Sequence, residues 1–226
     1  MNLAKLVSLI MENTNLYRLR ISSIELMEIT DELLNTLKKY ESRIAKHFHI
    51  PAQAGCDSVL ERMNRKYRVK DYIEKVDKIR SMFDDVSITS DFLSGFVGET
   101  KEEFEEAKKF IKRVAYSDMH IFPYSRRKGT KADLMEGHLD PKVQKERTTE
   151  LLALSNELKE EYERKFIGKT LEVLVENVKN GFYRGYTSNY LDVYFKSDKN
   201  YINKLVDVTL TSIENGKIYA KEVGEK

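Results

Sequence analysis

Cysteine is almost absent from this chain of 226 residues, which has one Cys, three Pro and no Trp. A single thiol excludes a disulfide framework and any metal site built from several cysteines, and we predict no metal site. No apolar run reaches the roughly 20 residues that a membrane-spanning helix needs, and the N-terminus lacks the pattern of a secretory signal. We therefore predict a cytoplasmic protein with no membrane partner.

Charge of both signs is plentiful, but the excess of one sign is small. The chain has 39 Lys and Arg against 37 Asp and Glu, a formal net charge of +2. That excess is too small to indicate nucleic-acid binding by itself. Because 41% of the residues are hydrophobic, the chain can bury a substantial core, as one large domain or two small ones.

The segment 87–100, SITSDFLSGFVGET, has the pattern of a buried strand that ends in a turn and opens a helix. Gly95 and Gly98 allow backbone conformations that other residues rarely adopt, and an amphipathic helix pattern follows. In α/β proteins, ligands bind at the carboxyl ends of the strands. Two glycines at this spacing are a weak signal, so an ordinary strand-to-helix turn is the competing interpretation.

The same unit recurs on both sides of this segment. We predict strands in YRLRISSIEL, RIAKHFHIPAQAG and SDMHIFPYS, with helices at 31–40, 58–64 and 71–83. Strands separated by helices pair in parallel through right-handed crossovers, so the loops after them open on one face. The polar residues expected at that face are Glu25, Gln53, Asp91, Tyr124 and Ser125.

The chain changes character after Pro141. A polar helix with a leucine stripe is predicted to about residue 166, and alternating apolar and polar residues follow. We predict four strands, in TLEVLVENV, YLDVYF, LVDVTLTSI and KIYAKEV, with a turn at GYTSN before the second. They would form a small β-barrel or a curled sheet of about 60 residues. The predicted organisation is an α/β part at 1–140, a connecting helix at 141–166 and a second domain at 167–226.

Four segments in this order carry a resemblance to a known family: RLRISSIEL, HIPAQAGCDSVLERMNRKY, ITSDFLSGFVGET and MHIFPYSRRKGTKA. They are similar to strand-and-loop motifs of the radical S-adenosylmethionine methylthiotransferases that modify tRNA. The segments IGKTLEVLVEN and GYTSNYLDVYF resemble the TRAM domain of those enzymes. SSIE and YSRRKGTKA are most similar to the type that acts on N6-threonylcarbamoyladenosine. The resemblance implies an α/β fold: a partial radical-SAM (β/α) barrel with parallel strands, followed by a small all-β TRAM barrel.

Two parts of the family pattern are missing from this sequence. Family members begin with a flavodoxin-like domain, and a CxxxCxxC triad after the first barrel strand binds a 4Fe-4S cluster. The resemblance implies S-adenosylmethionine and two 4Fe-4S clusters in the full-length enzyme. One cysteine cannot hold a cluster, so we expect none on this chain, and we interpret Cys56 as a small residue near a helix N-cap. We expect either a C-terminal fragment or a chain whose partner supplies the missing half.

The resemblance also implies a site for S-adenosylmethionine. Family members surround this cofactor with a glutamate, a glutamine, an arginine and an aspartate, and the matching positions are Glu25, Gln53, Arg65 and Asp91. Carboxylates and an amide can bind the amino group and the ribose hydroxyls, and a guanidinium can pair with a carboxylate. Taken singly, each of these residues is more often an exposed polar side chain or a helix cap. No catalytic residue is identified.

Two regions are candidates for RNA contact. One is a basic loop, and a solvated charged loop is the alternative interpretation; its residues are Arg126, Arg127, Lys128 and Lys131. The other is in the predicted second domain, where Arg184, Tyr186 and Tyr190 interleave charge with aromatic rings on which bases could stack. His47 and His49 alternate on a predicted strand and are interpreted as residues that pack on or line one face.

These expectations lead to one hypothesis with two alternatives. The hypothesis is the C-terminal part of an enzyme that methylthiolates C2 of N6-threonylcarbamoyladenosine in tRNA, inactive without the missing half. The alternatives are a non-catalytic RNA-binding scaffold and an unrelated radical enzyme with a TRAM module. The predicted strand near YRLRISS would be an open sheet edge, which favours self-association or pairing with another chain.

Overall fold

The computed structural model describes residues 1–223. Six α-helices and eight strands are found among these residues. The helices are α1 (Leu3–Asn13), α2 (Asp31–Lys39), α3 (Asp57–Arg62), α4 (Val69–Met82), α5 (Lys101–Val114) and α6 (Pro141–Arg164). The strands are β1 (His47–His49), β2 (Ser87–Ser94), β3 (Asp118–Pro123), β4 (Thr170–Lys179), β5 (Phe182–Thr187), β6 (Asp192–Phe195), β7 (Leu205–Glu214) and β8 (Lys217–Glu222). No helix in this range is both long and apolar enough to cross a membrane.

The N-terminal part is a parallel sheet with its helices, as predicted. The sheet order is β1-β2-β3, and both strand pairs are parallel. The strand-turn-helix prediction for 87–100 is confirmed. Gly95 and Gly98 adopt φ values of 70° and 71°, and Thr100 and Glu103 form a capping box at the start of α5.

The prediction of a strand in YRLRISSIEL is wrong. This segment contacts the sheet through two isolated parallel bridges, Leu19 with Ile44 and Ser23 with His49. Leu19 exchanges backbone hydrogen bonds of 2.8 Å with Arg43 and Ala45, but no continuous ladder follows. The neighbouring strand β1 has only three residues, which is too short to pair with the whole segment.

The two faces of the sheet have opposite polarity, because side chains alternate along each strand. One face is buried under the helices and includes Phe48, Ile88, Phe92 and Met119. The other face is polar and includes His47, His49, Thr89, Asp91 and His120. Ligand-binding groups therefore collect on the face that the helices leave open.

Helix α6 links the two hydrophobic clusters of the described residues. It begins with Asp140 as N-cap and Pro141 in its first turn, as a helix start requires. Leu151, Leu154 and Leu158 pack into the cluster of the α/β part. Further along the chain, Tyr162 and Phe166 join the cluster inside the C-terminal strands.

The C-terminal strands form a closed barrel in the order β4-β5-β6-β8-β7. The prediction of four strands is wrong by one, because β5 was assigned to a region of turns; Tyr183, Arg184 and Tyr186 lie on this strand. A Cβ atom on Gly185 would lie 2.1 Å from the backbone oxygen of Leu174. The glycine that suggested a turn is therefore required by the close approach of two strands.

Candidate functional site

A cleft of about 340 Å³ lies on the polar face of the sheet, where the sheet meets the barrel. It is lined by Arg20, Ser22 and Ser23, by all three strands of the sheet and by Tyr190 of the barrel. Both folding units therefore contribute to one cavity. Its lining is almost entirely polar or aromatic, which suits a ligand with several hydrogen-bonding groups.

A chain of hydrogen-bonding side chains crosses the floor of this cleft. The hydroxyl of Thr89 lies 2.7 Å from Nε2 of His47 and 2.9 Å from Nδ1 of His49. Nε2 of His49 lies 3.5 Å from Oδ2 of Asp91, and Nδ1 of His120 lies 3.1 Å from Oδ1. A hydroxyl has one proton to donate, so at least one of the two imidazole nitrogens at Thr89 must donate to the hydroxyl oxygen.

Burial decides the charge of the first histidine in this chain. It lowers the pKa of His47 to about 3, and the nearby Arg20 guanidinium and His49 act in the same direction. His47 is therefore neutral at physiological pH. Its Nδ1 atom is buried and has no hydrogen-bond partner among residues 1–223.

An aromatic stack joins the barrel to the sheet. The ring of Tyr190 stacks on His47 at a centroid distance of 4.4 Å and on Tyr186 at 4.9 Å. The guanidinium carbon of Arg20 lies 4.6 Å from the Tyr190 ring centre. Tyr190 has a φ of 66°, which a non-glycine residue adopts only when its surroundings hold it there.

Polar contacts hold the turn that carries Tyr190. The Ser188 hydroxyl accepts a hydrogen bond of 3.1 Å from the backbone N–H of Lys46. The Asn189 amide donates a hydrogen bond of 3.0 Å to the Tyr162 hydroxyl. These contacts fix the barrel turn over the polar face of the sheet.

The predicted cofactor residues come together in pairs. Arg65 lies 3.7 Å from Glu25, and the Gln53 backbone N–H donates to the Asp91 carbonyl at 3.0 Å. Asp91 lines the cleft, whereas Glu25, Gln53 and Arg65 do not. Nε of Arg65 is buried without a hydrogen-bond partner in the described chain, so it can donate to a ligand carboxylate. The donors and acceptors present fit S-adenosylmethionine.

The residues do not fit an iron-sulfur cluster. Cys56 precedes α3 at its N-cap position, as predicted, and its thiol donates to Glu106 at 2.9 Å. Burial raises the pKa of this thiol, which opposes the thiolate form that a metal needs. Within residues 1–223, no three His, Cys, Asp or Glu side chains are grouped to hold a metal ion.

The predicted RNA-contact residues differ in how far their charges are already paired. Arg126 is ion-paired with Asp133 inside its own loop. Arg184 binds both carboxylate oxygens of Asp192, at 2.8 and 3.0 Å, and donates to the Tyr186 hydroxyl. Three of the predicted basic residues are exposed and make no ion pair with the part of the chain that is described: Arg127, Lys128 and Lys131.

Several residues of the cleft were not identified from the sequence. His120 and Asp118 alternate on β3 as His47 and His49 do on β1, and this alternation was a usable signal. Arg20 and Thr89 carried no local signal, because their importance depends on contacts with distant parts of the chain.

A second cleft, of about 260 Å³, adjoins the first between α6 and the barrel. Glu163 lines it and is only 5% exposed. Burial raises the pKa of Glu163 to about 7, opposed by Lys159, while the carboxylates of Asp118 and Asp192 raise it further. Lys159 is bonded to Asp118 at 2.7 Å.

Glu163→Gln is expected to stabilise the protein above neutral pH and to have little effect at pH 5. The pKa of Glu163 in the folded protein lies above its ordinary value of 4.5. Its contribution to the stability of the folded protein is therefore fully present below pH 4.5 and is lost as the pH rises through about 7. The gain at pH 8.5 is on the order of 2 kcal/mol in the free energy of unfolding, measured by urea denaturation. Glu157→Gln, an exposed change on the same helix, is the control. Equal effects at both pH values would contradict the assignment.

Comparison with known proteins agrees with this architecture. Residues 2–111 match the model of the Radical SAM superfamily. The chain is 40% identical over 215 residues to the threonylcarbamoyladenosine tRNA methylthiotransferase MtaB of Bacillus subtilis, covering 92% of this chain and 48% of that protein. It is 34% identical to the tRNA-2-methylthio-N(6)-dimethylallyladenosine synthase of Acetivibrio thermocellus, covering 93% and 44%.

The fold is also similar to that of a solved Radical SAM enzyme, coproporphyrinogen III oxidase (HemN) from Escherichia coli. The TM-score is 0.56 at 17% sequence identity, over 69% of this chain and 36% of that enzyme. The chain spans about half the length of the curated relatives that it matches. Residues 2–111 are therefore similar to the Radical SAM superfamily, and the chain is a sequence relative of the tRNA methylthiotransferases.

Proposed function

We propose that this chain is the C-terminal part of a tRNA methylthiotransferase, and that it binds S-adenosylmethionine and the nucleoside to be modified. The observation that carries the proposal is the shared cleft, whose floor is the sheet of the Radical SAM domain and whose wall includes Tyr190 of the barrel. A nucleoside delivered by a barrel-bound RNA would enter beside Asp91, a predicted cofactor residue. In this arrangement the barrel is a TRAM domain that binds tRNA.

The cofactor would be held by the four residues that the family resemblance implies. Arg65, with its unpaired buried Nε, would donate to the carboxylate of S-adenosylmethionine. Asp91, Glu25 and Gln53 would accept from its amino group and ribose hydroxyls. When bound and reduced, this cofactor supplies the radical that abstracts a hydrogen atom from a substrate carbon.

The two 4Fe-4S clusters would be held outside this chain. A cluster of this kind needs three protein thiolates when the cofactor takes the fourth iron, and this sequence has one cysteine. The remainder of a longer enzyme, or a partner chain, would supply them. The reaction would take place in the cytoplasm.

The modified base would be N6-threonylcarbamoyladenosine. The relatives include enzymes named for this nucleoside and enzymes named for the dimethylallyl nucleoside, whose substituent is a hydrocarbon. The cleft is lined by histidines, serines, Arg20 and two aspartates, and Tyr190 is its one large aromatic contribution. Such a lining offers hydrogen-bond donors and acceptors to the amide and carboxylate groups of a threonylcarbamoyl substituent, which a dimethylallyl group does not use.

The tRNA backbone would approach along the basic loop. Arg127, Lys128 and Lys131 are exposed there and would neutralise phosphates, whereas Arg126 and Arg184 already have carboxylate partners. Tyr186 and Tyr190 are stacked within the protein, so only their outer edges would meet RNA.

Deletion of the gene in the source organism is expected to remove the 2-methylthio group from N6-threonylcarbamoyladenosine in tRNA. The nucleosides of digested tRNA would be measured by mass spectrometry, with the gene restored on a plasmid as the control. Loss of the methylthio group from the dimethylallyl nucleoside instead would overturn the substrate assignment. Unchanged modification would favour a non-catalytic RNA-binding scaffold.

A further inference from the structure

Arg20 is a largely buried cation that forms no ion pair among residues 1–223, although the more distant Glu176 favours its charged form. No carboxylate of the described chain lies within ion-pair distance of it, whereas Arg18, two residues earlier, is paired with Glu172. One terminal nitrogen of Arg20, Nη2, donates to the backbone oxygens of Thr187 and Ser188 at 3.1 and 3.4 Å. The other, Nη1, is buried with no hydrogen-bond partner among residues 1–223.

A charge in this position is costly unless a ligand compensates it. Removing a guanidinium from water without a counter-ion destabilises the folded state, and an unmade hydrogen bond adds to that cost. The two carbonyls and the Tyr190 ring also hold the guanidinium in one orientation. An arginine fixed in this way is pre-organised to bind an anionic oxygen with little further loss of entropy.

The side chain that carries the unpaired nitrogen lines the shared cleft. Arg20 lines it together with Ser22, Ser23 and His47. The hydroxyls of the two serines can donate to an anion, and so can Nδ1 of neutral His47 when Thr89 donates to its Nε2. The cleft thus offers several donors around one fixed positive charge.

We propose that Arg20 binds the carboxylate of the threonylcarbamoyl group and so determines which modified adenosine the cleft accepts. This inference rests on the proposed function and adds a specificity-determining residue to it. The threonylcarbamoyl substituent carries a carboxylate, and the dimethylallyl substituent carries no charge. A dimethylallyl group in the same position would leave Arg20 buried and unpaired, which disfavours its binding.

The test measures binding of this chain to three RNA stem-loops by isothermal titration at one salt concentration. They contain N6-threonylcarbamoyladenosine, its methyl ester, or unmodified adenosine. Wild-type protein is expected to bind the free acid about tenfold more tightly than the ester, as a charge-assisted hydrogen bond requires. In Arg20→Gln the ratio should fall to about one. Arg18→Gln, which breaks a contact with the barrel outside the cleft, should keep the wild-type ratio.

Other outcomes overturn the inference in distinct ways. If Arg20→Gln keeps the wild-type ratio of acid to ester affinity, another group binds the carboxylate, and the proposed function is unaffected. If Arg20→Gln weakens binding to all three stem-loops equally, Arg20 contacts an RNA phosphate instead. If wild-type protein binds the free-acid and methyl-ester stem-loops with equal affinity, the inference is wrong. The gene deletion then tests the proposed function independently.

A second measurement does not depend on the folding of a charge-neutral variant. The side-chain 15N signals of arginine in wild-type protein should include one that shifts with the free-acid stem-loop and stays in place with the ester. Arg20→Lys, which keeps the positive charge, should lack that signal. A signal that responds equally to both ligands would contradict the proposal.

Discussion

The chain of 226 residues, reconstituted anaerobically with iron and sulfide, is expected to release no 5′-deoxyadenosine from S-adenosylmethionine and a reductant. Cleavage of the cofactor requires an electron from a 4Fe-4S cluster held by three thiolates, and the only thiol is that of Cys56. Burial raises the pKa of this thiol, and Glu106 accepts its proton in a hydrogen bond. The expected result is a complete absence of 5′-deoxyadenosine formation, measured by chromatography of the products.

Two comparisons make this expectation specific. Cys56→Ala should give the same absence of cluster absorbance and of product as the wild-type chain, because the thiol takes no part in cluster binding. Adding a polypeptide that carries the CxxxCxxC triad should restore cleavage only if the two chains assemble. Formation of 5′-deoxyadenosine by the chain alone would show that the cluster is held in a way that the described residues do not reveal.

The part of the fold that followed from sequence is the part specified by local signals. Gly95, Gly98 and the Thr100 cap lie within a few residues of one another, and the strand, turn and helix around them form as predicted. The strand prediction around Leu19 was wrong because the pairing of this segment depends on the length of β1, which has only three residues. The strand β5 was not predicted because glycine is typical of turns, whereas Gly185 lies where two strands approach closely.

The candidate site also includes residues that could be predicted from the sequence and residues that could not. Asp91 was identified because the family resemblance implies a cofactor aspartate at this position, and it does line the cleft. The stack of Tyr190 on His47 joins residues that are far apart in sequence, and no pattern near either one indicates it. Arg20 was missed for a related reason, since its unpaired nitrogen is visible only when all its neighbours are in place. Sequence therefore identified single residues of the cleft, and tertiary packing defined the cavity.

Gly185→Ala is expected to destabilise the barrel by about 3 kcal/mol or more, because its added methyl group overlaps a backbone that cannot move away. The new Cβ would lie 2.1 Å from the Leu174 oxygen and 2.8 Å from Cγ1 of Val173. Leu174 is paired on both sides, with Tyr186 on β5 and Leu205 on β7, so any shift would break a second strand pair. Urea unfolding followed by circular dichroism and tyrosine fluorescence would measure the loss.

Gly181→Ala separates this overlap from backbone strain. Gly181 has a φ of 76° in the turn between β4 and β5, and a Cβ there would have no atom within 4 Å. Its substitution should therefore cost only the left-handed backbone strain, about 1–2 kcal/mol. If Gly185→Ala were no more destabilising than Gly181→Ala, the close approach of β4 and β5 would be wrong. Arg184 and Tyr186 flank Gly185. Gly185→Ala should therefore also weaken RNA stem-loop binding if it destabilises the barrel more than Gly181→Ala does.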